Sequence, residues 1–142
     1  MRRHRKFADA DWALPKESTD DIEDAAIKLA PNAPKLQYRH LFCDRDFDLF
    51  DEKGDYESQR RRLDEERQVA AKTILAAGGL AGVLEFAHAV TAPYEVGRAL
   101  GVIASDTFEA EVLPSMLNEL PDSTSGRFVA GFVWARYWVQ KW

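Results

Sequence analysis

Two adjacent glycines, Gly78 and Gly79, interrupt what is otherwise one helical pattern running from Asp55 to Val90. Before them, Tyr56, Leu63, Ala70 and Ala77 recur every seven residues with Ile74 between the last two, which puts them on one stripe of a helix. After them, Leu80, Val83, Leu84, Ala87 and Val90 reopen such a stripe. Glycine supplies the left-handed geometry at which helices end. A two-residue turn between amphipathic helices makes them antiparallel neighbours. Asp55 is placed to cap the first helix, with Glu57 near the positive end of its dipole. Glu57–Arg61, Arg60–Asp64, Arg61–Glu65 and Arg62–Glu66 stand at i,i+4. At about 0.2–0.5 kcal/mol each, such pairs support an exposed helix without defining a site.

The rest of the chain reads as shorter helices. Phe7, Ala8, Trp12 and Leu14 suit a short helix that docks Trp12 into the core and ends at Pro15. Ser18, Thr19, Asp20 and Asp21 are a run of N-cap candidates for a helix carrying Ile22, Ala25, Ala26 and Leu29. Pro31 and Pro34 bracket a turn, and Leu36, Tyr38, Leu41 and Phe42 suit a short helix before the acidic loop 44–55. Pro93 fits the first turn of a helix with Val96, Ala99, Leu100 and Ile103 on one face. Asp106 and Glu109 have capping-box spacing ahead of Phe108, Val112, Met116 and Leu120, a pattern that Pro114 should kink or divide. Phe128, Phe132, Ala135, Val139 and Trp142 form the last stripe. No segment alternates with period two between hairpin turns. The expected class is all-α: antiparallel helical hairpins packed as an irregular bundle or short α-solenoid. The expected organisation is one domain over 1–142, irregular with short helices over 1–54 and a hairpin array over 55–142.

Composition excludes several functions. A net charge of −5 disfavours nonspecific binding to nucleic acid or anionic membranes. The single cysteine, Cys43, rules out an internal disulfide framework and fits a reducing, cytoplasmic compartment. No uninterrupted apolar run approaches the roughly 20 residues that span a bilayer, and the basic MRRHRK start is not followed by an apolar signal segment.

The acidic loop holds the sharpest candidate chemistry. Asp44, Asp46, Asp48 and Asp55 occupy positions 1, 3, 5 and 12 of an EF-hand-like pattern, the alternation of hard oxygen ligands that calcium needs. Leu49 stands where the loop's sharp turn wants glycine, and Asp reaches less far than the usual Glu. Phe47, Leu49 and Phe50 fit a loop that tucks apolar groups inward and leaves carboxylates wet. The expectation is therefore no metal and no cofactor, with those four aspartates as the candidates. His40 and Cys43 share a helical spacing, as do Glu85 and His88, but neither pair has the further ligands or base that zinc or a thiol nucleophile requires. AGGLAG over 77–82 is not a phosphate-loop spacing and follows a helix, not a strand.

The C-terminal helix has aromatics around most of its circumference. Trp134, Tyr137, Trp138 and Trp142 are the candidate interaction surface, because large aromatics left outside a small domain favour interfaces. The chain reaches Trp142 without a glycine or proline stop, which suggests a segment of a longer protein.

RHLF at 39–42, GGLAGVLEFAHAV at 78–90 and APYEVGRAL at 92–100 resemble the helical-repeat regions of large bacterial multidomain proteins, similar in kind to HEAT, armadillo or tetratricopeptide solenoids. That resemblance covers chiefly 36–142 and rests on apolar spacings and turn residues. It implies a scaffold or regulatory segment and brings no catalytic residues. The expected function is a non-catalytic helical scaffold or protein-interaction module, its partner another protein, the adjoining part of its parent chain, or a second copy in a homo-oligomer. The alternatives are a metal-binding or enzymatic domain centred on 44–55 and a nucleic-acid adaptor using Arg2 to Lys6 and Arg60 to Arg62.

Overall fold

The computed structural model describes residues 4, 7–50 and 54–141, the side chains of Phe47 and Asp48 excepted. Every regular element among them is helical: α1 (Lys16–Lys28), α2 (Pro34–Gln37), α3 (Tyr56–Ala89), α4 (Pro93–Ile103), α5 (Asp106–Met116) and α6 (Thr124–Gln140). Short 3-10 turns cover Arg39–Leu41 and Asp46–Leu49. The all-α class is what the helical periodicity implies.

The chain divides into two compact units, Met1–Asn32 and Ala33–Trp142. Leu41 and Phe42, in the part expected to be irregular, are buried in the core of the second unit.

In the first unit, residues 7–13 run as turns instead of a helix, with Ala10 N–H donating to Phe7 O (3.0 Å) and Ala13 N–H to Ala10 O (2.8 Å). Trp12 is not docked in a core. It is 53% exposed and lies against the rings of His4 and Phe7. α1 begins at Lys16, behind Pro15, so the Ser18–Asp21 run lies inside the helix and caps nothing. Thr19 turns its hydroxyl back to Lys16 O (2.6 Å) and is buried.

The second unit is built round α3. Asp55 caps this helix as its position suggests, accepting from Ser58 N–H at 2.8 Å. Gly79 leaves helical geometry at φ 59°, ψ −162°, a region open essentially to glycine alone. The bend it makes is large. The Phe42 ring meets Phe86 edge-on at 5.2 Å and lies 5.8 Å from the Arg67 guanidinium. Along a straight helix, residues 67 and 86 would stand roughly 28 Å apart, so the two halves of α3 converge on Phe42. The buried stripe of the first half is Leu63, Arg67, Ala70, Ala71 and Ile74, while Tyr56 at its start is 45% exposed. Of the i,i+4 pairs, Arg62 does approach Glu66 (3.8 Å), whereas Arg60 donates to the Tyr56 hydroxyl (3.2 Å) and Asp64 goes to Arg98 on α4.

By length and hydropathy α3 is apolar enough to cross a membrane, with an 18-residue mean hydropathy of 1.5, contrary to the reading of the sequence by uninterrupted runs. A buried core helix passes the same test, and every such stretch in α3 contains the bend at Gly79.

α4 and α6 form the tightest pairing. Gly97 and Gly101 on α4 and Gly131 on α6 let the two backbones touch: a methyl group at Gly97 would sit 1.9 Å from Phe128 O, and one at Gly131 2.1 Å from Tyr94 O. Val96, Leu100, Phe128 and Phe132 close the core around this seam. α5 is capped by Ser105, whose hydroxyl accepts from Phe108 N–H (3.2 Å), and not by Asp106 as the capping-box spacing suggested. Pro114 does not divide α5, which runs on to Met116.

Candidate interaction surface

Two buried arginines organise the polar interior. Arg67 on α3 is 1% exposed. Its Nε donates to Leu41 O (2.8 Å), Nη2 to Asp46 Oδ1 (2.6 Å) and Nη1 to Glu95 Oε2 (3.0 Å). Glu95, in the first turn of α4, also accepts from Arg98 Nε (2.8 Å), and Arg98 pairs with Asp64. Burial works against the charge on Arg98, yet Asp64 and Glu95 outweigh it and hold its pKa above the ordinary value. Burial likewise pushes up the Tyr94 phenol beside them. Arg136 on α6 does a parallel task at the other end of α4. Its Nη1 donates to Ala104 O (2.8 Å), Nη2 to Asp106 Oδ1 (2.5 Å) and Nε to Glu109 Oε2 (2.7 Å). One side chain thus ties the end of α4 to the first turn of α5, where carboxylates also complement the helix dipole. A buried charge needs partners, and each nitrogen of both guanidinium groups has at least one. Both arginines clamp one helix to its neighbours.

The candidate metal loop is committed elsewhere. Asp46 is held by Arg67. Asp55 accepts from Ser58 N–H and Ser58 hydroxyl, and these bonds lower its carboxyl below the usual range. Asp44 is exposed, and the Asp48 side chain lies outside the described residues. Among the described residues no three His, Cys, Asp or Glu side chains come together as a metal would require. His40 shares its Nδ1 with Gln37 O (3.0 Å), and the Cys43 thiol donates to Arg45 O (3.5 Å). Glu85 pairs with Lys35, and His88 Nε2 lies 3.4 Å from the Ser125 hydroxyl, so Glu85 and His88 face different partners.

The C-terminal helix is two-faced. Ser123 caps it, accepting from Gly126 N–H (2.9 Å). Phe128, Phe132, Ala135 and Arg136 are buried. Val139, read as part of the buried stripe, is 47% exposed, and Arg136 takes the inward position that apolar patterning could not assign. On the other side Trp134 is 47%, Tyr137 46% and Trp138 62% exposed. Their rings touch in a chain, Trp134 to Trp138 at 6.0 Å and Tyr137 to Trp138 at 5.6 Å. Trp142, the fourth candidate, lies outside the described residues. Beside the aromatics, α5 and α6 leave between them an apolar groove of about 530 Å³, lined by Met116, Leu117, Val129, Val133, Trp134 and Tyr137 among others. The aromatic crowding was visible in the sequence. The groove was not, because it depends on where α5 lies.

Comparison with protein families, with curated proteins and with solved structures finds no match.

Proposed function

We propose that this chain is a non-catalytic helical scaffold or protein-interaction module, a segment of a larger bacterial protein working in the cytoplasm. Its helices are antiparallel hairpins arranged as an irregular bundle or short solenoid, and the outer face of α6 is the contact it presents. The observation that carries this reading is the exposed set Trp134, Tyr137 and Trp138, in which the Trp138 ring meets the other two tilted and edge-on, beside an apolar groove. Exposed contiguous apolar patches on folded chains mark contacts, and Trp and Tyr are the residues that dominate binding energy at such contacts. The bend at Gly79 and the convergence of both halves of α3 on Phe42 support the hairpin element of the reading. Asp46 and Asp55 are engaged within the chain, as are Arg60 and Arg62, so the metal-domain and nucleic-acid readings gain no support from them.

The test is chemical denaturation of Trp134→Ala and Trp138→Ala. Contact residues should cost the folded chain less than about 1 kcal/mol each, while docking to the adjoining part of the parent chain or to another protein weakens. A loss of about 3 kcal/mol or more, the range for truncating a core aromatic, would assign these tryptophans to the domain's own core and remove the proposed contact.

A further inference from the structure

The outer face of α6 has a charge pattern as well as an apolar one. Residues 127, 130, 134, 137 and 138 recur at helical spacing and are all exposed. Arg127 stands at one end of this face, and Lys141, the exposed left-handed residue that ends the helix, follows its other end, with the aromatics between them. The whole of α6 contains no Asp or Glu, although the chain carries −5 overall. The face is therefore an apolar strip with a cation at each end, and the one charged residue among those lining the adjoining groove is Glu119.

The complement to it stands on α1. That helix is acidic, with Glu17, Asp20, Asp21, Glu23 and Asp24 against Lys16 and Lys28. Its apolar ridge is uncovered: Ile22 is 45% and Leu29 82% exposed, with Ala25 exposed between them. Glu17 and Asp21 continue that ridge along one flank, since Glu17, Asp21, Ala25 and Leu29 follow at four-residue steps. An amphipathic helix that lays an apolar ridge into a groove, with acids meeting cations at the rim, is a recurring mode of recognition.

We infer that the Arg127–Lys141 face of α6, with the adjoining groove, is the seat for α1 of a second copy of this chain, an inference that rests on the interaction reading above. The exchange is reciprocal in a two-fold pair, because each copy carries both the acidic ridge and the cationic aromatic seat. The aromatic groove supplies affinity, and the charges set which helix enters and in which direction. An acidic amphipathic helix fits this seat, whereas a basic helix would be repelled at both ends.

The experiment is sedimentation equilibrium of the full chain over a wide concentration range, at low and high salt. The wild type should move from monomer to dimer mass. Trp138→Ala should raise the dimer dissociation constant by about 30-fold, the consequence of losing one hot-spot aromatic. The double variant Glu17→Arg with Asp21→Arg should raise it by about threefold to tenfold, with the larger effect at low salt. Adding Arg127→Glu and Lys141→Glu to that double variant should recover part of the loss. All the altered positions of α1 and both cations are exposed, so folding survives the changes. Monomer mass at every concentration overturns the inference, as does a dimer whose dissociation constant is indifferent to Glu17 and Asp21. Neither result touches the interaction reading, which stands or falls on the stability of the tryptophan variants.

Discussion

α6 makes two seams, and they are opposites. Against α4 it is packed backbone to backbone, with Gly97, Gly101 and Gly131 removing the side chains that would hold the helices apart. Against α5 it is tied at one end, where Arg136 reaches Asp106 and Glu109, and open at the other, where a groove of about 530 Å³ separates Met116 and Leu117 from Val133 and Trp134. The first seam has no volume to spare, so it fixes the position of α6. The second leaves apolar surface in water, a cost that a contact with another helix would offset. The same helix is thus core on one face and interface on the other, a division its hydrophobicity alone does not reveal.

The largest effect should come from the closed seam. Gly97→Ala adds one methyl group, which on an isolated helix would gain about 1 kcal/mol. Here that methyl meets Phe128 O at 1.9 Å and the Phe128 carbonyl carbon at 2.8 Å, and backbone atoms cannot rotate away. The expected result is the opposite sign: a loss of more than about 4 kcal/mol, or failure to fold. Urea denaturation decides it. A stabilised Gly97→Ala would mean that α4 and α6 are not in contact at this point, and the contrast between the seams would collapse.

Next is the clamp that joins the two seams. Arg136→Ala leaves Ala104 O without its donor and the largely buried Glu109 carboxylate without its cation, with only the Gln140 amide (2.8 Å) still donating to it. Removing one partner of a buried ion pair costs about 3 kcal/mol. Asp106 is 89% exposed and is solvated by water, so it adds little to that loss. A variant as stable as wild type, followed by thermal melting, would show that α5 is held by its apolar contacts alone.

Gly79 sharpens the comparison by being a glycine of another kind. Nothing lies within 4 Å of where its side chain would be, so size is irrelevant and only backbone geometry matters. Gly79→Ala and Gly79→Val should both lose about 1–3 kcal/mol, the cost of a side chain in a region reserved for glycine, and Val should lose somewhat more because it is β-branched. At Gly97 the loss comes from collision, and at Gly79 from conformation. If both variants at Gly79 were neutral by denaturation, the bend would have to lie elsewhere in α3.

These residues also mark what could be read in the sequence. Apolar spacing located the helices from α3 onward, Asp55 was recognisable as a cap, and Gly79 as a turn. Gly97-x-x-x-Gly101 and Gly131-x-x-x-Ala135 carried a signal for close helix approach, but periodicity weighs large apolar residues and passes over small ones. Arg67 and Arg136 were illegible for a different reason. An arginine in a charged run is usually solvated, and only the meeting of Glu95, Asp46 and Leu41 O around one point makes Arg67 an inward residue. The interaction surface was half visible: the surplus of aromatics on α6 is a property of one helix, whereas the groove beside them belongs to a pair.

The smallest effect on stability should be found at the lip of the open seam, and it makes the strictest test of the contrast. Leu117 is 66% exposed, directly after α5, on the groove side facing Val133 and Trp134. Leu117→Ser removes an apolar side chain that is already mostly in water, so the unfolding free energy should stay within about 0.5 kcal/mol of wild type. The same change places a hydroxyl where an incoming helix must lie, and burying an unpaired hydroxyl costs roughly 1–3 kcal/mol. Association should therefore weaken about tenfold or more while folding is unmoved. Paired denaturation and sedimentation measurements read both quantities on the same variant. If Leu117→Ser instead lost as much stability as a buried leucine, α5 and α6 would be closed on each other in solution, and α6 would have one kind of seam, not two.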